Sequence, residues 1–194
     1  MKIVFFDLET GGLTAAHPDI QLAAVATEQC EEIDSFEAKI RFDPERADPE
    51  ALKLNSYDPG VWSREAQDER EVVEAFSAFL RKHADLEMLS QRTGRPYKVA
   101  RLAGHNAATF DAPRLQKMFR RHQAFLPASF QVLDTLQLAL WHGASAGRSF
   151  RSYKLSALCS ELGLDSSGAH DALADVRMCM RLANALRPRE TGAG

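Results

Sequence analysis

Three strand-patterned runs crowd into the first 42 positions of this 194-residue chain, and they constrain its fold more than any other feature. Ile3 to Phe6 is a short apolar run leading into Asp7. A second apolar run, Ile20 to Ala26, follows a turn at Gly11-Gly12. From 36 to 42 the chain alternates strictly, with Phe36, Ala38, Ile40 and Phe42 set against Glu37, Lys39 and Arg41. Period two places alternate side chains on opposite faces, the mark of a half-buried strand. Short connections, one carrying Glu31-Glu32, predict an antiparallel meander.

The pattern then changes. Asp43 to Gly60 carries Pro44, Pro49 and Pro59 and reads as loop with one short helix. Asp68 to Lys82 has acids in its first turn, bases in its last and a stripe of Val72, Phe76, Phe79 and Leu80, which predicts a helix. Met88 to Pro96 reads as an exposed polar connection, and Lys98 to Ala103 as a buried strand ending at Gly104. Helices are expected over Ala112–His122, Leu136–His142, Leu155–Leu162 and Asp171–Leu186, with a further strand near Gln131–Leu133. A meander followed by strands alternating with helices predicts a mixed α/β sheet flanked by helices.

Composition sets the outer bounds. With 45% hydrophobic and 26% charged residues the chain reads as one folded domain over 1–187, followed by a short flexible tail, 188–194. No run approaches the roughly 20 apolar residues that cross a bilayer, so no membrane partner is expected. The N-terminus meets Asp7 too early for a secretory core. Three scattered cysteines (Cys30, Cys159, Cys179) without CxxC spacing disfavour a disulfide framework or zinc site, and predict a reducing, cytoplasmic home. A net charge of −3 is no positive coat for gripping long duplexes, yet carboxylates that hold metal ions count against that total.

The acids carry the chemistry. Asp7 and Glu9, two apart on an extended chain, project to one side, and such a pair repels itself unless a cation or proton shares it. Asp111 opens a helical stripe with Leu115, Met118 and His122, either facing inward or capping the helix. Asp175 sits on an apolar stripe with Met178, Cys179, Leu182 and Leu186, where an unpaired charge costs several kcal/mol. Asp171 lies one turn earlier as a rival or a cap, and His170 just before it can reach sideways into a site. Hard oxygen donors of this kind suit Mg²⁺ or Mn²⁺ rather than zinc.

Three ordered motifs resemble a known group. Phe6-Asp7-Leu8-Glu9-Thr10-Gly11-Gly12-Leu13, Gly104-His105-Asn106-Ala107-Ala108-Thr109-Phe110-Asp111 and His170-Asp171-Ala172-Leu173-Ala174-Asp175 look like the three motifs of the DnaQ-like, DEDDh-type 3′→5′ exonucleases. Asp134-Thr135-Leu136 and Leu155 to Cys159 resemble helices between the second and third motifs. The resemblance runs from Lys2 to about Leu186. It implies a ribonuclease H-like mixed five-stranded sheet. It also implies two divalent cations, Mg²⁺ or Mn²⁺, held by Asp7, Glu9, Asp111 and Asp175, with His170 as general base and Asp171 left to capping. Two such ions clamp an in-line displacement at phosphorus, releasing nucleoside 5′-monophosphates from a 3′ end.

By the same similarity Thr10, Gly11, Leu13, Asn106 and Phe110 would meet the substrate, Leu13 as a wedge against the terminal bases. Core packing is the competing reading for Leu13 and Phe110. The basic and aromatic stretch Arg148 to Lys154 suits a single strand or an ordinary loop, and the basic face of Arg114, Lys117 and Arg121 reads first as a wet helix surface. The expected partner is a nucleic-acid 3′ end, single-stranded or frayed DNA before RNA, with a DNA polymerase or clamp as a candidate protein partner in proofreading or repair. Two other readings share these motifs: an exoribonuclease, and a noncatalytic polymerase-associated subunit. The second predicts damage to a metal ligand, yet all five positions are present.

Overall fold

The computed structural model describes residues 1–166 and 171–187. Among these, five strands form one mixed sheet in the order β3-β2-β1-β6-β7. They are β1 (Lys2–Thr10), β2 (Asp19–Glu28), β3 (Glu31–Lys39), β6 (Leu102–Gly104) and β7 (Leu133–Asp134). The first three form the expected antiparallel meander, whereas β6 runs parallel to β1 and β7 parallel to β6. A five-stranded mixed sheet flanked by helices is the architecture that the resemblance implied.

β1 is the central strand, and its two faces feed two cores. Val4, Phe6 and Leu8 point to one face, where α3 (Glu69–Lys82) and α4 (Asp111–Arg121) pack through Val72, Phe76, Leu80, Leu115 and Met118. Phe5 points to the other, against Val176 and Cys179 of α7 (Ala172–Leu186). Behind α7, α5 (Thr135–Ser145) and α6 (Leu155–Glu161) close a further cluster around Leu158, Met178 and Leu182. Burying such side chains contributes roughly 1.5–3 kcal/mol each, which fixes the helices on the sheet.

As expected, Asp7 and Glu9 lie at the end of β1, whose antiparallel pairing with β2 breaks register only between Glu9 and Thr10. Three expectations need correction. Asp43 to Gly60 holds a 3₁₀ turn (Pro44–Arg46) and two helices, α1 (Pro49–Leu54) and α2 (Pro59–Glu65), rather than one. Each follows an Asp-Pro step. The aspartate accepts a backbone N–H of the first turn (Glu45, Glu50 and Val61 respectively), while proline starts the helix without needing a donor.

Met88 to Pro96 is no plain connection: β4 (Leu86–Leu89) pairs with β5 (Pro96–Val99) in a separate hairpin, in register Leu86↔Val99 to Leu89↔Pro96. The predicted strand from Lys98 to Ala103 is accordingly two strands. At Ala100 the chain leaves the hairpin to pair with the segment around Ala128, donating to Pro127 O (2.9 Å) and accepting from Ser129 N (2.9 Å), and only then enters the main sheet. The apolar residues Val99, Ala100, Leu102 and Ala103 hid the change of partner.

Candidate active site

β1 outruns its parallel neighbour. Pairing with β6 includes Val4↔Leu102 and Phe5↔Ala103 and stops there, so Asp7 and Glu9 stand beyond the carboxyl end of β6. Ligand sites in sheets of this kind lie at such ends. Asp7 shares the face of Phe5, toward α7, and Asp175 lies in the first turn of α7. Asp111, the first residue of α4, arrives from the opposite face. It does not cap its helix with its side chain: its Oδ1 accepts the backbone N–H of Leu8 at 3.1 Å. Asp171 does cap, accepting the Ala174 N–H at 2.9 Å.

The four acids Asp7, Glu9, Asp111 and Asp175 line one open cleft of about 470 Å³, together with Thr10, Gly12, Leu13, His105, Asn106 and Phe110. Among the described residues no three His, Cys, Asp or Glu side chains already form an ion cage. The carboxylates nonetheless feel one another. Burial, then the charges of Asp111, Glu9 and Asp175, hold Asp7 well above the usual carboxylate range. Glu9 is pushed up to about 7 by burial, then by Asp175, Asp111 and Asp171. Burial likewise raises Asp111 to about 7, against the Leu8 hydrogen bond and Arg114, which favour its charged form. A cluster that repels itself and offers only carboxylate oxygens fits hard divalent cations. His170 lies outside the described residues.

The expected substrate residues divide. Leu13 is 86% exposed at the cleft, so it is not core. Asn106 is exposed with a left-handed backbone (φ 58°), and Phe110 is half-buried, its ring 4.8 Å from the Arg114 guanidinium. Thr10 is buried and donates its hydroxyl to Gly12 O at 2.9 Å, so that hydroxyl serves the turn. Gly11 does not reach the cleft: a Cβ there would stand 2.7 Å from Ala47 Cβ, and Gly12 lines the wall in its place. Gly12 has φ +148°, a conformation L side chains rarely adopt, and a Cβ would collide with the His17 ring.

Two surface readings fail at one residue each. Phe150 is 5% exposed and packs edge-on against Tyr153, so it is core and cannot stack on bases. Arg114 is buried too, paired with buried Asp19 at 2.9 Å rather than lying on a wet face.

Other residues were not singled out from the sequence. Asp134 accepts three backbone N–H groups, from Asn106 (2.9 Å), Ala108 (3.1 Å) and Leu136 (2.9 Å), tying the loop before α4 to the start of α5. His105 bridges Thr135 Oγ1 and Tyr153 O, both at 2.9 Å, and burial keeps its pKa low. Leu54, 56% exposed, lines the cleft with Leu13, while Asn55 donates to Thr10 O at 2.9 Å. The Asp48-Pro49 cap was the available signal for α1; nothing local points α1 at the cleft.

Known proteins share this fold. The profile of the family described as RNase_T, exonuclease, matches residues 91–183, which takes in Asp111 and Asp175 while Asp7 and Glu9 precede it. Over that stretch, just under half of its length, the chain is similar to this exonuclease family. The fold of the chain is that of E. coli exonuclease I: the structure in complex with a dA16 oligonucleotide aligns with a TM-score of 0.76 at 19% identity, over 97% of this chain and 41% of that one. The zinc-ion-bound form of the exonuclease I–ssDNA complex aligns equally well (0.76, 19%, 98% and 41%). A product-bound exonuclease I aligns at 0.75 and 18% identity, over 97% of this chain and 44% of that one. The chain thus spans less than half the length of these proteins. No curated protein sequence matches it. Among the described residues no helix is long and apolar enough to cross a membrane.

Proposed function

We propose that the chain is a metal-dependent 3′→5′ exonuclease acting on single-stranded or frayed DNA. The observation that carries this reading is the meeting of Asp7, Glu9, Asp111 and Asp175 in one cleft, from a strand end and two helices on opposite faces of the sheet. These four residues would hold two Mg²⁺ or Mn²⁺ ions. When bound, the ions supply Lewis-acid polarisation of the phosphoryl oxygen, an acidified water and stabilisation of the leaving oxygen. DNA as first substrate is supported by exonuclease I, whose structures include complexes with dA16 and dT13 oligonucleotides.

The chain's own residues do the rest. Asp111 is oriented by the Leu8 N–H, so its carboxylate meets the cleft in one position. Exposed Leu13 and Leu54 offer apolar surface to the terminal bases. Asn106 and Phe110 line the same wall. His170, by its place in the third motif, takes the proton of the attacking water.

The test is digestion of 3′- and 5′-labelled single strands of matched DNA and RNA, in Mg²⁺ and in EDTA. The expected result is 5′-mononucleotides released stepwise from the DNA 3′ end, in Mg²⁺ alone. Cleavage of RNA only would replace the substrate, and digestion that survives EDTA would overturn the metal site.

A further inference from the structure

We propose that Arg114, helped by Lys117 and Arg46, is the positioning clamp of the 12–17 loop and, through it, of Leu13 at the mouth of the cleft. The role of Leu13 rests on the proposed function; the clamp itself rests on geometry. The loop joins β1 to β2 and makes little structure of its own, with His17 N donating to Thr14 O at 3.1 Å and the His17 ring accepting the Thr14 N–H at 3.2 Å.

Its carbonyls instead turn toward three cationic side chains. Arg114 Nη2 donates to Gly12 O (3.2 Å) and Thr14 O (2.7 Å), and Nη1 to His17 O (3.4 Å). Lys117 Nζ donates to Ala15 O at 3.0 Å, and Arg46 Nη2 to Ala16 O at 3.4 Å. Every carbonyl from Gly12 to His17 except that of Leu13 is thus met by a side-chain cation.

Arg114 is suited to the centre of this arrangement. Its planar fork spreads five N–H donors in a fixed geometry over separate nitrogens, where an ammonium offers three from a single point. Asp19, 6% exposed, holds Nη1 at 2.9 Å from below, and the Phe110 ring packs against the guanidinium. The fork therefore has one orientation, and the loop takes its shape from it.

The consequence falls on Leu13. At 86% exposed it has almost no packing to fix it, so only the backbone beneath can hold it in place. An exposed side chain ordered before binding does not lose that freedom on binding, which improves affinity rather than turnover. Arg114 sits on α4, three residues beyond Asp111, so one helix sets both an acid of the site and the loop that faces the substrate.

Arg114→Lys tests this while keeping the positive charge that faces Asp111. The expected result is a KM for single-stranded oligonucleotide raised roughly tenfold with kcat within about twofold, and faster amide hydrogen exchange at Thr14 and His17. The exposed pair Lys117→Ala with Arg46→Ala should speed the same exchange without disturbing the buried ion pair, which guards against loss of fold. Leu13→Ala should raise KM, and adding Arg114→Lys to it should raise KM little further. Effects that multiply, or a KM unchanged in Arg114→Lys while Leu13→Ala raises it, would overturn the proposal. Unchanged loop exchange overturns the clamp whatever the activity, whereas a wild-type chain that digests no oligonucleotide overturns the proposed function.

Discussion

Glu9→Gln is expected to stabilise the metal-free protein at pH 8 and to lose much of the stabilisation that a divalent ion brings. In the folded protein the Glu9 carboxyl is pushed up to about 7, by burial and then by Asp175, Asp111 and Asp171, against an ordinary 4.5. Between those two values the folded chain keeps a proton that the unfolded chain has released. The folded state then binds more protons, so stability falls as pH rises from about 4.5 to 7 and stays low above it. A difference of about 2.5 units is worth about 3 kcal/mol at 1.36 kcal/mol per unit. For a chain of this size that is roughly 6–12 °C in Tm. Glutamine has the same shape without the charge. In EDTA, the Tm of the variant should therefore match wild type near pH 4.5 and exceed it by that margin at pH 8. In excess Mg²⁺ wild type should gain more than the variant, because a ligand stabilises the state it binds. Thermal unfolding followed by circular dichroism from pH 4.5 to 8 reads both. A wild-type minus variant difference that is flat with pH would refute the electrostatic argument, and equal Mg²⁺ shifts would remove Glu9 from the ion site.

Four further substitutions bear on the same structure. Asp7→Ala and Asp175→Ala should each lower Mg²⁺-dependent digestion on the order of a thousandfold while the circular dichroism spectrum stays unchanged, since several kcal/mol of charge stabilisation would be lost; near-normal turnover in either would remove that residue from the site. Asp134→Ala strips one acceptor set from three backbone N–H groups, and should cost about 1–3 kcal/mol by urea denaturation with faster exchange at Asn106 and Ala108. Leu115→Ala, at a fully buried position between α4 and the sheet, should cost about 2–5 kcal/mol, read by the same denaturation.

What the sequence made legible was whatever depends on local pattern. Strict alternation from Phe36 marked the end of β3, though not its start at Glu31, and acids before bases marked α3. Asp7, Glu9, Asp111 and Asp175 stood out because charges in apolar patterns need a reason. What stayed hidden depends on partner choice. Lys98 to Gly104 is hydrophobic enough to read as one strand, yet the chain swaps sheets at Ala100, and nothing in side-chain pattern records which backbone lies alongside. Phe150 and Arg114 misled for a related reason. An aromatic beside arginines, or an arginine on a helix with other bases, looks like surface until the partner that buries it is known. For Arg114 that partner, Asp19, lies 95 residues away.

The cleft itself follows from such a mismatch of partners. β1 has nine residues and β6 three, so beyond Phe5↔Ala103 the edge of β1 that faced β6 has no strand beside it. Backbone N–H groups at a buried edge must find acceptors. The one at Leu8 finds Asp111, across 103 residues of sequence. The same shortfall of strand that exposes Asp7 and Glu9 therefore recruits the third acid, and α7, packed against the opposite face of β1, brings the fourth. Were β6 long enough to pair with Leu8, Asp111 would lose its anchor and the acids of β1 would be screened from α4. A substitution that lengthened β6 past Gly104 should thus abolish the site without touching any of its acids; Gly104 itself admits no side chain, since a Cβ there would stand 2.4 Å from Ala107 Cβ and 3.0 Å from Phe6 O.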